Sequence, residues 1–120
     1  MDKHEAVAAL AALAQDTRLD IFRLLIQTGP EGMPAGQIAE RLDLPATTLS
    51  FHLNHLRHAG LVGFRRESRM LIYAAAYGAM NELLAYLTEN CCRGDASGCD
   101  ARARVPASSS SFLTTSQRRS

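Results

Sequence analysis

The stretch from Pro34 to Ala75 constrains the fold more than any other part of the chain. It contains two short helical patterns separated by a turn signal, and two short segments with strand-like alternation follow. In the second helical pattern Leu49, Leu53 and Leu56 recur at i, i+4 and i+7, which places one apolar stripe on the inward side. The arrangement predicts a winged helix-turn-helix, a mainly α fold with a small β-hairpin.

The opposite side of the second helix carries hydroxyl, amide, imidazole and guanidinium groups and almost no carboxylate. Its outward residues are Thr47, Thr48, Ser50, Phe51, Asn54, His55 and Arg57, and the hairpin adds Arg65, Arg66 and Arg69. Such donors suit a DNA groove, in which base edges are flanked by phosphates. We therefore expect double-stranded DNA as a partner. A basic hairpin that is merely solvated is the alternative.

Charge is distributed unevenly along the chain, although the formal net charge is only +1. Residues 1–43 hold four Lys and Arg against seven Asp and Glu, whereas residues 44–69 hold four Arg against one Glu. Positive charge is thus concentrated in the segments expected to contact DNA, as electrostatic attraction to phosphates requires.

The chain has the length of one domain, at 120 residues, and its own core is small. A partner subunit is therefore expected. Apolar helical patterns at Lys3–Ala14 and Ala76–Asn90 predict a homodimer formed through the terminal helices across a two-fold axis. The predicted domain spans residues 1–92, and residues 93–120, rich in Ser, Arg, Gly and Ala, are predicted to be a flexible tail that carries a third cysteine.

Other patterns predict the remaining elements and the cellular compartment. A buried central helix is expected over Thr17–Gln27 with Asp16 as its N-cap, and strands over Leu61–Arg66 and Met70–Ala75.

No run approaches the roughly 18 apolar residues of a membrane helix, and no signal-peptide pattern begins the sequence. Three cysteines, two of them adjacent, do not make a disulfide framework, which favours a reducing cytoplasm.

Three segments together resemble one known family. DTRLDIFRLL, QIAERL and TTLSFHLNHLRHAGLV are similar to the ArsR family of bacterial metalloregulators over about residues 5–90. The resemblance implies a homodimeric winged-helix repressor that leaves its operator when a toxic metal or metalloid binds. It places base recognition around Thr47, Thr48, Ser50 and Phe51 and phosphate contacts on the hairpin arginines. Ala46 and Phe51 depart from the side chains common in the family, so the operator sequence stays open.

The histidines of the second helix have two interpretations. His52 falls on the family's His-Leu pair, and it either supports the helix from the inside or contacts a phosphate. His55 and His58 are expected to face solvent or phosphate, because neither has a second metal ligand at suitable spacing.

The segment NCCRGDASGC carries Cys91, Cys92 and Cys99 and resembles the C-terminal three-cysteine site of an arsenic-sensing branch of the family. Thiolate sulfur prefers soft ions, and zinc would require a fourth ligand. Three thiols suit trivalent arsenic or antimony, which we expect as inducer, with no catalytic cofactor. Adjacent residues of a helix do not face each other, so Cys91 and Cys92 can share an ion only if the helix ends before them.

Alternatives to this sensor remain. Cys91 and Cys92 alone suit methylated trivalent arsenicals or thiol oxidation, and a DNA-binding protein with no ligand is a further possibility. A small thiol enzyme is disfavoured, because the C-x-x-C spacing and a phosphate-binding loop are missing. The sequence therefore predicts a regulator and not an enzyme.

Overall fold

The computed structural model of the chain describes residues 1–94. Within them lie five α-helices, three β-strands and one short 3₁₀ helix, Cys91–Gly94. The helices are α1 (Lys3–Leu13), α2 (Asp16–Thr28), α3 (Ala35–Leu42), α4 (Ala46–His58) and α5 (Tyr77–Leu87), and the strands are β1 (Met33–Pro34), β2 (Val62–Glu67) and β3 (Met70–Ala75). The chain divides into one unit that ends at Leu87 and another that begins at Thr88. Residues 95–120 of the predicted tail, which include Cys99, lie outside the described residues.

Helix α1 begins with a capping box and presents two kinds of surface. Asp2 Oδ1 accepts a hydrogen bond from the Glu5 amide at 2.8 Å, and Glu5 Oε1 accepts one from the Asp2 amide at 3.0 Å. The side chains of Ala6, Ala9 and Ala12 are buried in the core. Val7 and Leu10, on the other side of α1, are exposed.

Helix α2 is the central element, since it contacts α1, α3, α4 and β3. Ile21 and Leu25 are fully buried, but Leu19 is exposed, so α2 is not buried on all sides. The prediction that Asp16 caps this helix is wrong. Gln15 has the extended backbone of an N-cap, and its side chain accepts a hydrogen bond from the Arg18 amide at 2.9 Å, whereas Asp16 already belongs to the helix.

The helix-turn-helix is α3, the predicted turn at Asp43 and Leu44, and α4. Asp43 adopts a left-handed conformation with φ of 55°, and the Leu44 amide donates to the Ala39 carbonyl at 2.9 Å, which closes the end of α3. The prediction of a turn at these residues is confirmed. Ile38 of α3 and Leu53 of α4 are both completely buried, so the two helices share one core.

The wing is a three-stranded antiparallel sheet in the order β1-β3-β2. The predicted hairpin is confirmed, with Phe64 opposite Tyr73, but the sequence did not predict β1, in which Met33 pairs with the other side of Tyr73. Gly32 permits this pairing. Its φ is +80°, and a Cβ at this position would collide with the Tyr73 carbonyl.

Helix α5 is shorter than the predicted Ala76–Asn90. It begins at Tyr77, whose hydroxyl donates to the Ile26 carbonyl at 2.8 Å and so ties the start of α5 to α2. It ends at Leu87, and Asn90 has a left-handed φ of 57°, which a continuous helix does not allow. The two adjacent cysteines therefore lie beyond the end of the helix.

Candidate nucleic-acid interface

The outward side of α4 carries the residues that the sequence predicted for DNA contact. Thr47, Ser50, Phe51, Asn54, His55 and Arg57 are exposed, and Thr48 is half-buried. No Asp or Glu occurs between Ala46 and His58. The N-terminus of a helix also carries partial positive charge, which attracts phosphate. The structure thus presents a polar, carboxylate-free helix face to solvent.

The inward side of α4 anchors this face. Leu49, Leu53 and Leu56 are each at most 2% exposed and lie in the core, as the sequence predicted. His52 is also buried, which fits the interpretation that it supports the helix from the inside.

Arg18 of α2 links its own helix to His52 of α4 and to the end of α1. Its Nη1 donates to His52 Nδ1 at 3.3 Å, and its Nε donates to the Ala12 carbonyl at 2.7 Å near the end of α1. Because guanidinium is only a donor, the His52 Nδ1 must be the acceptor, and the imidazole proton lies on Nε2. Burial, the Arg18 charge and His55 all lower the pKa of His52 from its ordinary value of 6.5, so the neutral ring is favoured.

The start of the wing packs against the end of α4 through an aromatic contact. The Arg57 guanidinium lies over the Phe64 ring, 5.5 Å from its centroid, and Phe64 in turn packs on Tyr73 with ring centroids 5.5 Å apart. A guanidinium on an aromatic face is attracted by the ring quadrupole. Arg57 therefore couples the last turn of α4 to β2 and β3.

The arginines of the wing are not equivalent. Arg65 Nε donates to Glu67 Oε2 at 2.7 Å, so part of its charge is already compensated within β2. Within residues 1–94, no carboxylate forms a salt bridge with Arg66 or Arg69. All three side chains are exposed. Arg66 and Arg69 are therefore the wing cations that are better placed to contact phosphate.

The cysteine segment, residues 88–94, follows α5. The Cys91 amide donates to the Thr88 carbonyl at 2.9 Å, and Cys92 has a left-handed φ of 55°. The two Sγ atoms are 3.7 Å apart, and the cysteines do not form a disulfide. Helix α5 ends at Leu87, and Cys91 and Cys92 lie in the 3₁₀ helix Cys91–Gly94 that follows it in the chain.

Two searches over the described residues were negative. Residues 1–94 contain no group of three or more His, Cys, Asp and Glu side chains arranged to hold a metal ion. The third predicted thiol, Cys99, lies outside this range. None of the helices in residues 1–94 combines the length and the apolar character needed to cross a membrane.

Comparison with known proteins supports the architecture. A helix-turn-helix domain family matches residues 13–62, which run from the end of α1 to the start of β2. The transcriptional activator HlyU of Vibrio cholerae is 36% identical over 83 residues, which are 67% of this chain and 74% of HlyU.

Solved structures give the same result. An ArsR-like transcriptional regulator from Rhodococcus sp. RHA1 is 27% identical, with a TM-score of 0.66 over 76% of this chain and 83% of that chain. The chain belongs to the ArsR family of helix-turn-helix transcriptional regulators. The homodimeric winged helix-turn-helix DNA-binding domain Mb0332 from Mycobacterium bovis is 26% identical, with a TM-score of 0.60 over 77% of this chain and 85% of that chain.

Membership of the ArsR family defines the general activity. The chain is a DNA-binding transcriptional regulator, and the prediction that it is not an enzyme is confirmed. In the helix-turn-helix architecture the second helix of the motif enters the major groove, and that helix is α4. We refer to α4 as the recognition helix below.

Two residues important to this interface were not predicted. Arg18 lies within DTRLDIF, so its motif was recognised, but periodicity gave no sign that its side chain would reach His52, which is 34 residues away. Phe64 was not singled out within the predicted strand Leu61–Arg66, and its contact with Arg57 depends on how the wing packs on α4.

Proposed function

We propose that this ArsR-family chain is a homodimeric, arsenic-responsive transcriptional repressor. It binds operator DNA through the recognition helix and the wing, and it dissociates when trivalent arsenic or antimony binds Cys91, Cys92 and Cys99. The observation that carries the sensing part is the 3.7 Å separation of the Cys91 and Cys92 sulfurs beyond the end of α5.

The apolar outer surfaces of the terminal helices support dimerisation. Val7 and Leu10 of α1 are 57% and 42% exposed, and Leu87 at the end of α5 is 54% exposed. Large apolar side chains grouped on helices of a small domain favour a subunit interface, since their burial removes apolar surface from water. The Mycobacterium bovis relative is itself homodimeric.

The sulfur geometry supports a soft ligand. Two thiolates that bind one ion through bonds of about 2.3 Å lie about 3.3–3.8 Å apart for S–ion–S angles between a right angle and the tetrahedral value. The Cys91 and Cys92 sulfurs, 3.7 Å apart, already lie within this range. Thiolate donors select soft ions, and a third thiol from Cys99 would complete the trigonal set that arsenic(III) requires.

The release mechanism follows from charge. Arsenite enters as neutral As(OH)₃, three thiols replace its hydroxides, and three waters leave, so the net charge of the protein is unchanged. Repulsion from DNA therefore does not increase. Release must come from a change of shape that alters the spacing of the two recognition helices, which contact half-sites about 34 Å apart. A coupling free energy of about 1–3 kcal/mol changes the affinity from about fivefold to about 150-fold.

The test is release of a duplex operator, selected with the purified protein from a randomised library. Arsenite, antimonite, cadmium and zinc are titrated in parallel into wild type and into Cys91→Ser, Cys92→Ser and Cys99→Ser. We expect arsenite and antimonite to release wild type, and each substitution to abolish release without weakening DNA binding in the absence of metalloid. The salt dependence of binding, which counts neutralised phosphates, should be the same for wild type and the variants in the absence of metalloid.

Two results would contradict the proposal. One is full operator affinity at saturating arsenite. The other is a monomeric protein at the concentrations where DNA binding occurs, measured by sedimentation.

A second candidate signal is favoured by the adjacency of the two described thiols. Because Cys91 and Cys92 alone place two sulfurs 3.7 Å apart, they suit methylated trivalent arsenicals, which have fewer bonds to exchange, or oxidation. Cys99→Ser separates the candidates. Loss of the arsenite response with a retained methylarsenite response would favour the two-thiol sensor.

A further inference from the structure

Phe51 is an aromatic side chain on an otherwise polar surface. It is 58% exposed, and Thr47, Ser50 and Asn54, which surround it on the recognition helix, are exposed and polar. Its ring makes no contribution to the buried core, so packing does not explain the choice of phenylalanine. Thr47, Ser50 and Phe51 belong to the N-terminal half of α4, and this is the part of a recognition helix that contacts base edges.

Two imidazoles hold the Phe51 ring. Its centroid lies 5.4 Å from that of His52 in an edge arrangement and 4.8 Å from that of His55 in a tilted one. Because His52 is buried and bonded to Arg18, one side of the ring rests on a fixed neighbour. Ordering a side chain on binding has an entropic cost, and a ring that is already oriented loses less freedom.

The chemistry of the major groove offers one apolar group on base edges, the 5-methyl of thymine. Phenylalanine has no hydrogen-bonding group and cannot contact the donors and acceptors of the other bases favourably. We propose that Phe51 contacts the 5-methyl group of a thymine in each operator half-site and is a specificity-determining residue. The inference rests on the proposed binding of operator DNA by α4.

The test removes the methyl group without changing a base-pair hydrogen bond. In the selected operator, each thymine of a half-site is replaced in turn by deoxyuridine, and affinity is measured for wild type, Phe51→Ala and Phe51→Leu. We expect one deoxyuridine position to weaken wild type about fourfold, the effect of one buried methyl group. Phe51→Leu should retain part of this discrimination, and Phe51→Ala should bind both duplexes equally.

A double-mutant cycle links the side chain to the methyl group, because two groups in contact give non-additive effects. In a second duplex pair with cytosine or 5-methylcytosine at this position, the methyl group should raise the affinity of wild type but not that of Phe51→Ala. Thermal unfolding of Phe51→Ala controls for folding and should match wild type.

Equal wild-type affinity for every deoxyuridine duplex would overturn the inference, as would full discrimination by Phe51→Ala. Either result can be measured only if the protein binds the selected operator. Failure to select any duplex would instead overturn the proposed operator binding.

Discussion

The recognition helix and the cysteine segment are built in opposite ways. In α4, Leu49, Leu53 and Leu56 are buried in the core, His52 is bonded to α2, and Arg57 lies against the wing. In the cysteine segment, the described hydrogen bond from Cys91 to Thr88 is local, and two residues adopt left-handed conformations. The candidate DNA-contacting surface thus rests on tertiary packing, whereas the described contacts of the cysteine segment include a short local turn.

Because the two regions are built differently, separate substitutions can change the response to a ligand and the binding of DNA. Substitutions in the cysteine segment should change the response to a ligand and leave the fold intact. Substitutions beneath α4 should change stability first and DNA binding as a consequence. The four predictions below test this separation, beginning with the largest effect.

Truncation of Leu56 should have the largest effect. Leu56 is 0% exposed, and Leu56→Ala should lower the free energy of unfolding by about 2–5 kcal/mol because it leaves a cavity beneath α4. Cys92→Ser, at an exposed position, should change it by no more than about 0.5 kcal/mol. Urea denaturation followed by circular dichroism measures both. Similar losses in the two variants would show that the cysteine segment is part of the folding core.

Removal of the Arg18 guanidinium should cost about 1–3 kcal/mol of stability. Arg18→Met leaves the Ala12 carbonyl and His52 Nδ1 without their donor while keeping an apolar stem. Arg23→Met, at an exposed position of the same helix, is the matched control and should be close to neutral. If both variants were equally stable, Arg18 would not brace the recognition helix.

Acid should destabilise the protein through His52. Its pKa is below 6.5 in the folded chain and close to 6.5 in the unfolded chain, so the unfolded state binds this proton at higher pH. The contribution of the neutral ring to stability is complete above about pH 6.5 and decreases as the pH falls below that value. His52→Gln retains an acceptor for Arg18 but does not titrate. The free energy of unfolding of this variant should therefore decrease less than that of wild type as the pH falls below about 6.5. An equal decrease in both proteins would contradict this assignment.

Substitutions in the wing should have the smallest effects. Arg66→Ala should reduce the slope of log affinity against log salt by about 0.9 for each lost phosphate contact. Arg65→Ala should reduce this slope less, because the Glu67 carboxylate already neutralises part of the Arg65 charge. Glu67→Gln removes that carboxylate and should raise DNA affinity. Equal effects of the two arginine substitutions, with no gain from Glu67→Gln, would show that the Arg65 and Glu67 pair does not persist on DNA.

The sequence by itself determined the order of the five α-helices and the two hairpin strands, and the inward face of α4. The Leu49, Leu53 and Leu56 spacing, the turn at Asp43 and the alternation of the hairpin are all local signals, and each is confirmed. Local signals suffice for such features because the backbone periods of helix and strand dictate which side chains share a face. The polar face and the basic hairpin gave the expectation of DNA binding, and the family resemblance added that of a repressor released by a metal or metalloid.

Tertiary structure decided the rest. Strand β1 exists because Gly32 lets the backbone approach Tyr73, and the Arg18 contact with His52 joins residues far apart in the chain. The sulfur separation belongs to the 3₁₀ helix Cys91–Gly94, in which Cys92 has a left-handed backbone, and the sequence pattern had predicted one helix up to Asn90 instead. Such contacts depend on which distant segments pack together, and hydrophobic periodicity carries no information about that pairing.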